Sequence, residues 1–298
     1  MRRLAHVAVA LHLAARTAAL LVVGVGTATA SAAKRAGPFD NQDAFFSAPP
    51  IYYGIFDGVS QCPDSRAFAQ TLAKTAFEEL AKTEIDSDSW SEAAQLALSK
   101  GAEEAFEYSG CSTACLMRLE LDGDTPRAGC YVLGDCGVMV IRQDDEEDGE
   151  EEEEAAALVV AGCTDAKFHE NGAPYQLGGR SWLTDEVDDG EEFEIEISAG
   201  DTLIAFTDGL VNNLEQGEIA EIVNECEGQE AEELAKALVE RAKDVQTVDD
   251  DVTVVAIRLG EGKGSSGAGS FEAVVTHDGY SAPARRKGGN PFAAFYKK

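Results

Sequence analysis

Phe68, Leu72, Ala76 and Leu80 recur at four-residue spacing within "CPDSRAFAQTLAKTAFEELAK". That spacing lays one apolar stripe along a helix, and Asp64 or Ser65 is placed to cap its start. Ala94, Leu98, Ala102 and Phe106 repeat the pattern in "SWSEAAQLALSKGAEEAFEYSG", with Gly110 beyond the end. Both stripes read as core-facing surfaces. Ahead of them, "DNQDAFFSAPP" and "IYYGIFDG" are short β-branched and aromatic runs around a Pro-Pro loop, and predict two strands. Six more strand signals follow: "STACLMRLEL", "RAGCYVLGD", "VMVIR", "AALVVAG", "EEFEIEI" and "DTLIAFTDG". Helices in "QGEIAEIVNEC" and "EAEELAKALVERAKD" come next, then a last strand, "VTVVAIRL". Helices and strands come in groups. Grouping favours an α+β fold with antiparallel sheets over a doubly wound parallel sheet.

Composition changes the picture at both ends. No Asp or Glu occurs before Asp40, whereas Arg2, Arg3, Arg16, Lys34 and Arg35 do. On a helical wheel Arg2, His6, His12 and Arg16 share one side, and Leu4, Val7 and Leu11 the other. This acid-free, amphipathic character is that of an organellar transit peptide. Residues 1–39 are therefore expected to be a targeting segment outside the fold, addressed to the mitochondrion ahead of the plastid. The competing reading is a secretory signal with "ATASAA" as an A-x-A-like cleavage site, and Arg16 interrupts the apolar stretch it needs. The uncharged run 17–33 is too short and too rich in Gly, Thr and Ser to predict a membrane span. From Gly260, "GEGKGSSGAGS" reads as a flexible linker, and residues 260–298 end in a basic tail with "ARRKGG" and "YKK" that is expected to be disordered. One folded domain over 40–259 remains.

Charge excludes one class of partner. The 298-residue chain sets 24 Lys and Arg against 55 Asp and Glu, a net charge of −31, and a nucleic-acid duplex is repelled by that field. Ten of the acidic residues lie in 144–154, which predicts a solvated surface loop between two strands. The seven cysteines are odd in number and form no Cys-x-x-Cys pair, so neither a zinc site nor a disulfide framework is expected. Within apolar strands they act as small hydrophobes.

The candidate chemistry sits at strand ends: Asp43 in "NQDAFF", Asp57 in "FDGV", Asp135 in "LGDCG", Asp208 in "FTDGL" and Asp250 in "DDDVTVV". A lone Asp-Gly is an ordinary turn; the information lies in the set. Several such strands side by side would gather the carboxylates at one end of a sheet, where like charges repel unless cations neutralise them. Oxygen ligands without His or Cys select hard cations, Mg²⁺ or Mn²⁺. The glycines after Asp57 and Asp208 are expected to adopt positive φ and let a backbone carbonyl approach an ion. Two ions about 3.5–4 Å apart are the usual apparatus for hydrolysing phosphate esters.

"NQDAFF", "YGIFDGVSQ", "GCSTACL", "LGDCGVMVIR", "APYQLGG", "GDTLIAFTDGLVNNL" and "DDDVTVVAIRL" stand in an order and spacing that resembles the metal-dependent PP2C-type (PPM) protein phosphatases, from about Asp40 to Leu259. "NGAPYQLGG" and "TDGLVNNL" are most similar to the PTC7-like branch. The resemblance implies a four-layer α-β-β-α sandwich of two packed antiparallel sheets, with two Mg²⁺ or Mn²⁺ ions at one end and a weaker third in some members. It implies that Asp57 bridges both ions, that Gly58 offers its carbonyl to one, and that Asp208 and Asp250 complete the other shell. Asp43 would act through bound water, and Asp135 would help hold the third ion. Asp251 competes with Asp250 for its position. The activity implied is that of a monomeric serine/threonine phosphatase, in which a hydroxide bridging the ions attacks phosphoprotein substrates. The chain departs from the family pattern in three places: Val59 stands where many members have His, Gln42 where Glu is usual, and no arginine matches the phosphate grip, Arg35 being too far upstream. His169, near "NGAPYQL", reads as a solvated loop histidine. A non-catalytic phosphatase-like scaffold is the alternative. An EF-hand at Asp122 fails, because Pro126 occupies a ligand position.

Overall fold

β2 (Ala44–Ala48) and β3 (Tyr52–Phe56) form an antiparallel hairpin in which Ala44 faces Phe56. Around it the chain builds two antiparallel sheets. The computed structural model describes residues 18–33, 41–82, 89–122, 125–144, 158–180, 184–263 and 274–275. One sheet has the order β10-β6-β5-β3-β2-β13, with β5 (Ala114–Glu120), β6 (Arg127–Leu133), β10 (Glu191–Glu196) and β13 (Val274–Val275). The other has the order β1-β12-β11-β7-β8, with β1 (Ala18–Ala30), β7 (Gly137–Gln143), β8 (Leu158–Cys163), β11 (Thr202–Phe206) and β12 (Val252–Lys263). A short pair, β4 (Cys111–Ser112) and β9 (Leu177–Gly178), lies beside them.

Three apolar layers define the stack. Tyr53, Ile55, Met117, Val132, Val140, Leu203 and Ile257 meet between the sheets. On the outside of the β2–β3 sheet, Phe46, Phe56 and Leu116 pack against Phe68, Leu72 and Leu98 of α1 (Ser65–Leu80) and α2 (Trp90–Ala105). On the outside of the other sheet, Ile204, Val254 and Ala256 pack against Ile219, Leu234 and Leu238 of α4 (Gln216–Glu225) and α5 (Ala231–Val245). A one-turn helix, α3 (Asp208–Val211), follows β11 directly. This is the expected α-β-β-α sandwich. Its central strands are apolar on both faces because both faces are covered, which is why they read as continuous apolar runs instead of alternating ones.

The helix stripes fall where their spacing puts them, with Phe68, Leu72, Ala76 and Leu80 buried. The cap does not. Asp64 makes no capping bond; its carboxylate accepts from the Ser109 amide at 3.1 Å, while the Ser65 hydroxyl donates to the Val59 carbonyl at 2.7 Å. All seven cysteines are free, and all but Cys163 are buried.

The domain limits at 40 and 259 need correction. β1, inside the segment set apart as a leader, pairs along its length with β12, from Ala18 against Lys263 to Ala30 against Val252. The physical cause is in "AALLVVGVGTATA": its β-branched Val and Thr residues suit a pleated edge, and the same uncharged composition suits a leader. At the other end β12 runs on to Lys263, and Val274 and Val275 return to pair with Ser47 and Phe46 of β2. Residues 1–17, most of the acidic run of 144–154 and the basic tail after Val275 lie outside the described residues. Among the described residues no helix is long and apolar enough to cross a membrane.

Candidate active site

Register decides what meets at the ends of these strands. Asp43 immediately precedes β2 and Asp57 immediately follows β3, so the hairpin holds both at one end of its sheet. In the second sheet Phe206 of β11 faces Gly137 of β7 and Val254 of β12. Asp208, Asp135 and Asp250 are each within a few residues of those positions, and so share one end. The expected gathering occurs, but across two sheets packed face to face instead of along one. Charge coupling shows the two halves touching: Asp57 feels Asp43, Asp208 and Asp135, and Asp208 feels Asp250.

The glycines do not take the backbone conformation expected of them. Neither Gly58 nor Gly209 has positive φ. A Cβ on Gly58 would stand 2.3 Å from the carbonyl oxygen of Gln42, beside Asp43, and one on Gly209 would stand 1.9 Å from the carbonyl oxygen of Asp251, beside Asp250. Each Asp-Gly therefore lets its strand end press against the backbone that carries a second carboxylate. The Asp57 turn is fixed further by backbone bonds, Thr113 N–H to the Asp57 carbonyl and Val59 N–H to the Cys111 carbonyl, each 3.0 Å.

The carboxylates are oriented by neighbours the sequence reading passed over. Asp43 Oδ2 accepts from Thr207 Oγ1 at 2.9 Å and from Thr253 Oγ1 at 2.7 Å. Asp208 Oδ2 accepts from Asn212 Nδ2 at 2.8 Å. Buried Asn213 ties the Asp208 turn to the loop before Asp250, donating to the carbonyls of Gly209 and Val248 and accepting from the Val248 amide. Asp251 is buried and accepts backbone N–H bonds from Ala32 and Gln42, both 2.7 Å. That separates it from Asp250, which neighbours Asp208 and Asp135. The signal for these helpers was available: Thr207, Asn212 and Asn213 flank one Asp-Gly, and Thr253 follows the acidic triplet by two residues.

Burial raises the carboxyl pKa of Asp43, Asp57, Asp135 and Asp208. Asp43 and Asp57 are pushed well above the ordinary carboxylate range, first by burial and then by neighbouring charge, from Asp251 on Asp43 and from Asp43 on Asp57. Asp135 is pushed up to about 7 by burial and then by Asp208. Asp208 is raised by burial, while its contact with Asp57 lowers it. Asp57 and Asp208 meet as two acceptors, an arrangement that only a shared proton or a cation holds together.

Gln42 Oε1, Asp43 Oδ1, Asp135 Oδ1 and Asp208 Oδ1 are all buried without a hydrogen-bond partner. Unpartnered buried oxygens cost free energy unless something positive reaches them. Hard oxygen donors of this kind fit Mg²⁺ or Mn²⁺ and suit soft metals poorly. Among the described residues no three His, Cys, Asp or Glu side chains converge as a finished ligand set. The cluster is a ring of neighbours, not a closed coordination shell.

His169 is not free in solvent. Its Nε2 lies 3.0 Å from Asp185 and its ring stacks on Tyr175 at 4.0 Å. The hairpin bearing it is bonded from the Lys167 amide to the Gly134 carbonyl at 2.8 Å, next to Asp135. Arg35 lies outside the described residues.

Known proteins share this architecture. Two rice proteins described as probable protein phosphatase 2C BIPP2C1, from Oryza sativa subspecies japonica and indica, are 27% identical over 212 residues, 68% of this chain. The chain spans 32% of their length. The structure of the photosystem II phosphatase PBCP superposes with a TM-score of 0.63 at 21% identity, covering 80% of this chain and 98% of that one. The catalytic domain of the serine/threonine phosphatase PstP, in complex with two manganese ions, does so with a TM-score of 0.58 at 19% identity, covering 82% and 100%. The family model for Stage II sporulation protein E (SpoIIE) matches residues 65–260, more than half of the chain. With its sandwich and its carboxylate-lined end, the chain belongs to the SpoIIE family, and its fold is that of the PPM-type phosphatases.

Proposed function

We propose that this domain is a metal-dependent serine/threonine phosphoprotein phosphatase. The observation that carries the reading is the set of four buried, unpartnered oxygens on Gln42, Asp43, Asp135 and Asp208, at the end where both sheets place their carboxylates. Asp57, Asp208 and Asp250, with the Gly58 carbonyl and with Asp43 through water, would hold two Mg²⁺ or Mn²⁺ ions, and Asp135 a weaker third. When bound, such ions neutralise phosphoryl oxygens and acidify water. The chain's own residues set the geometry. Thr207 and Thr253 fix one oxygen of Asp43 and leave the other buried without a partner. Asn212 does the same for Asp208. The Asp57 and Asp208 turns are locked by backbone bonds and by Asn213, so the carboxylates need little reorganisation during phosphoryl transfer. Val59 cannot donate a proton, so the leaving serine or threonine oxygen takes its proton from solvent held in the cluster.

The manganese ions bound by PstP support the choice of metal. "NGAPYQLGG" and "TDGLVNNL" support the PTC7-like branch. Phosphoprotein substrates, a monomer and organellar targeting, mitochondrial ahead of plastid, complete the reading, with the address confined to residues before Ala18.

The test is hydrolysis of p-nitrophenyl phosphate and of phosphoserine or phosphothreonine peptides by the Mn²⁺-loaded full chain. Asp57→Asn and Asp208→Asn are each expected to remove activity by about 10³-fold or more. A fully Mn²⁺-loaded protein without turnover would make it a scaffold.

A further inference from the structure

A directed chain of hydrogen bonds leads from the first strand to the carboxylate cluster. Asn41 Nδ2 donates to Thr29 Oγ1 of β1 at 2.6 Å. The hydroxyls of Thr29 and Thr253 lie 2.9 Å apart. Thr253 gives its proton to Asp43 Oδ2 at 2.7 Å, so Thr29 is the donor between the two hydroxyls. The far oxygen of Asp43 is the buried one without a partner. A second link runs beside the first: the Ala32 amide at the end of β1 and the Gln42 amide next to Asp43 both close on the Asp251 carboxylate. Asp251 in turn donates its own N–H to Asp250 Oδ1 at 2.9 Å. Asp251 and Thr253 thus stand between the N-terminal strand and two separate carboxylates of the site, and neither faces the cluster with a free oxygen of its own.

We propose that Asp251 and Thr253 are positioning residues through which β1 sets the aim of Asp43 and Asp250, which makes the N-terminal strand a working part of the cation site. The inference rests on the proposed function only in taking the cluster as a cation site. The physical reason is geometric. A carboxylate with one oxygen fixed by two hydroxyls presents the other in a single direction, whereas a carboxylate without them rotates to satisfy itself elsewhere. The backbone of Asp250 has the same need, because it is held only a residue away from the loop that Asp251 clamps.

The test uses the full chain, stripped of divalent ions and titrated with Mn²⁺ by calorimetry. Thr253→Val removes the hydroxyl and keeps the shape, and is expected to weaken Mn²⁺ binding about 10- to 100-fold. Thr253→Ser is expected to restore it. Thr29→Val lies at an exposed strand position that tolerates Val, so it reads the coupling from β1 even where a core variant unfolds; a loss of about threefold or more is expected. In turnover, the variants should need more Mn²⁺ for half-maximal rate, with kcat largely recovered at saturation. Unchanged Mn²⁺ affinity in Thr253→Val and Thr29→Val, with only a lower melting temperature in chelator, would overturn the proposal and leave these residues purely structural. A wild-type chain that binds Mn²⁺ but hydrolyses no phosphate ester would sink the phosphatase reading and leave this one standing. A wild-type chain that binds no Mn²⁺ would overturn both.

Discussion

Gly209→Ala adds a single carbon at the place where the Asp208 turn presses on the Asp251 backbone. That carbon would lie 1.9 Å from the Asp251 carbonyl oxygen, and Cβ atoms essentially never come closer than 3.0 Å to a neighbour. The obstacle is backbone, not the end of a flexible side chain, so the two segments must part by about 1 Å. Overpacking of this kind costs about 1–3 kcal/mol of stability. The chemistry is expected to suffer as well, because the parting moves Asp208 away from Asp250. A displacement of about 1 Å among groups that must act together reduces turnover on the order of 10²-fold. The assay pairs thermal unfolding with Mn²⁺ calorimetry and p-nitrophenyl phosphate turnover on the same preparation. Gly217→Ala is the control: it lies in α4 with open space around its Cβ position, and should stabilise by up to about 1 kcal/mol without altering Mn²⁺ binding. A Gly209→Ala protein with normal stability, normal Mn²⁺ affinity and normal turnover would refute the claim that close approach is why this glycine is there.

Three further outcomes follow from other parts of the molecule. Without divalent ions, the raised folded-state pKa of Asp43, Asp57, Asp135 and Asp208 means the folded state holds more protons than the unfolded chain above the ordinary value of 3.8. The resulting stability is present below 3.8 and is lost as pH rises through the folded values, about 7 for Asp135. Metal-free protein should therefore melt higher at about pH 5 than at about pH 8, and saturating Mn²⁺ should remove most of the difference; a melting curve in chelator that does not move with pH would contradict this. Asp201→Ala breaks a bidentate pair with Arg142 at 2.8 and 2.7 Å and should cost about 2 kcal/mol, less than a fully buried pair because Arg142 is 31% exposed. Mn²⁺ affinity should not change, since Asp201 lies at the opposite end of β11 from Asp208. Intact-mass analysis of the protein from its own cells should place the mature N-terminus at or before Ala18; a working mature form that begins after "ATASAA" would remove β1 and contradict its place in the sheet.

Much of this was legible in the chain. Helix stripes were readable because α1 and α2 bury one face only, so spacing carried the information. The aspartates were readable because each stands at the end of a strong apolar run. β1 was not, because a strand at a sheet edge and a cleavable leader share the same small, uncharged, β-branched composition. The close approach at Gly58 and Gly209 was not legible for a related reason: a sequence shows which residue lacks a side chain, but not whose backbone fills the space. The resemblance favours Asp250 as the ligand, with Asp251 beside it as the competing choice. In the structure it is Asp251 that accepts the amides of Ala32 and Gln42, more than two hundred residues away.

Because Ala18 pairs with Lys263 and Ala30 with Val252, β1 is synthesised more than two hundred residues before the strand it pairs with. Closing so long a loop adds little to the equilibrium cost, which grows only with the logarithm of length, but it delays the event. Until β12 emerges, the apolar stretch from Leu20 to Val25 lacks the strand it pairs with. That interval is when chaperones have their opportunity to hold the chain open.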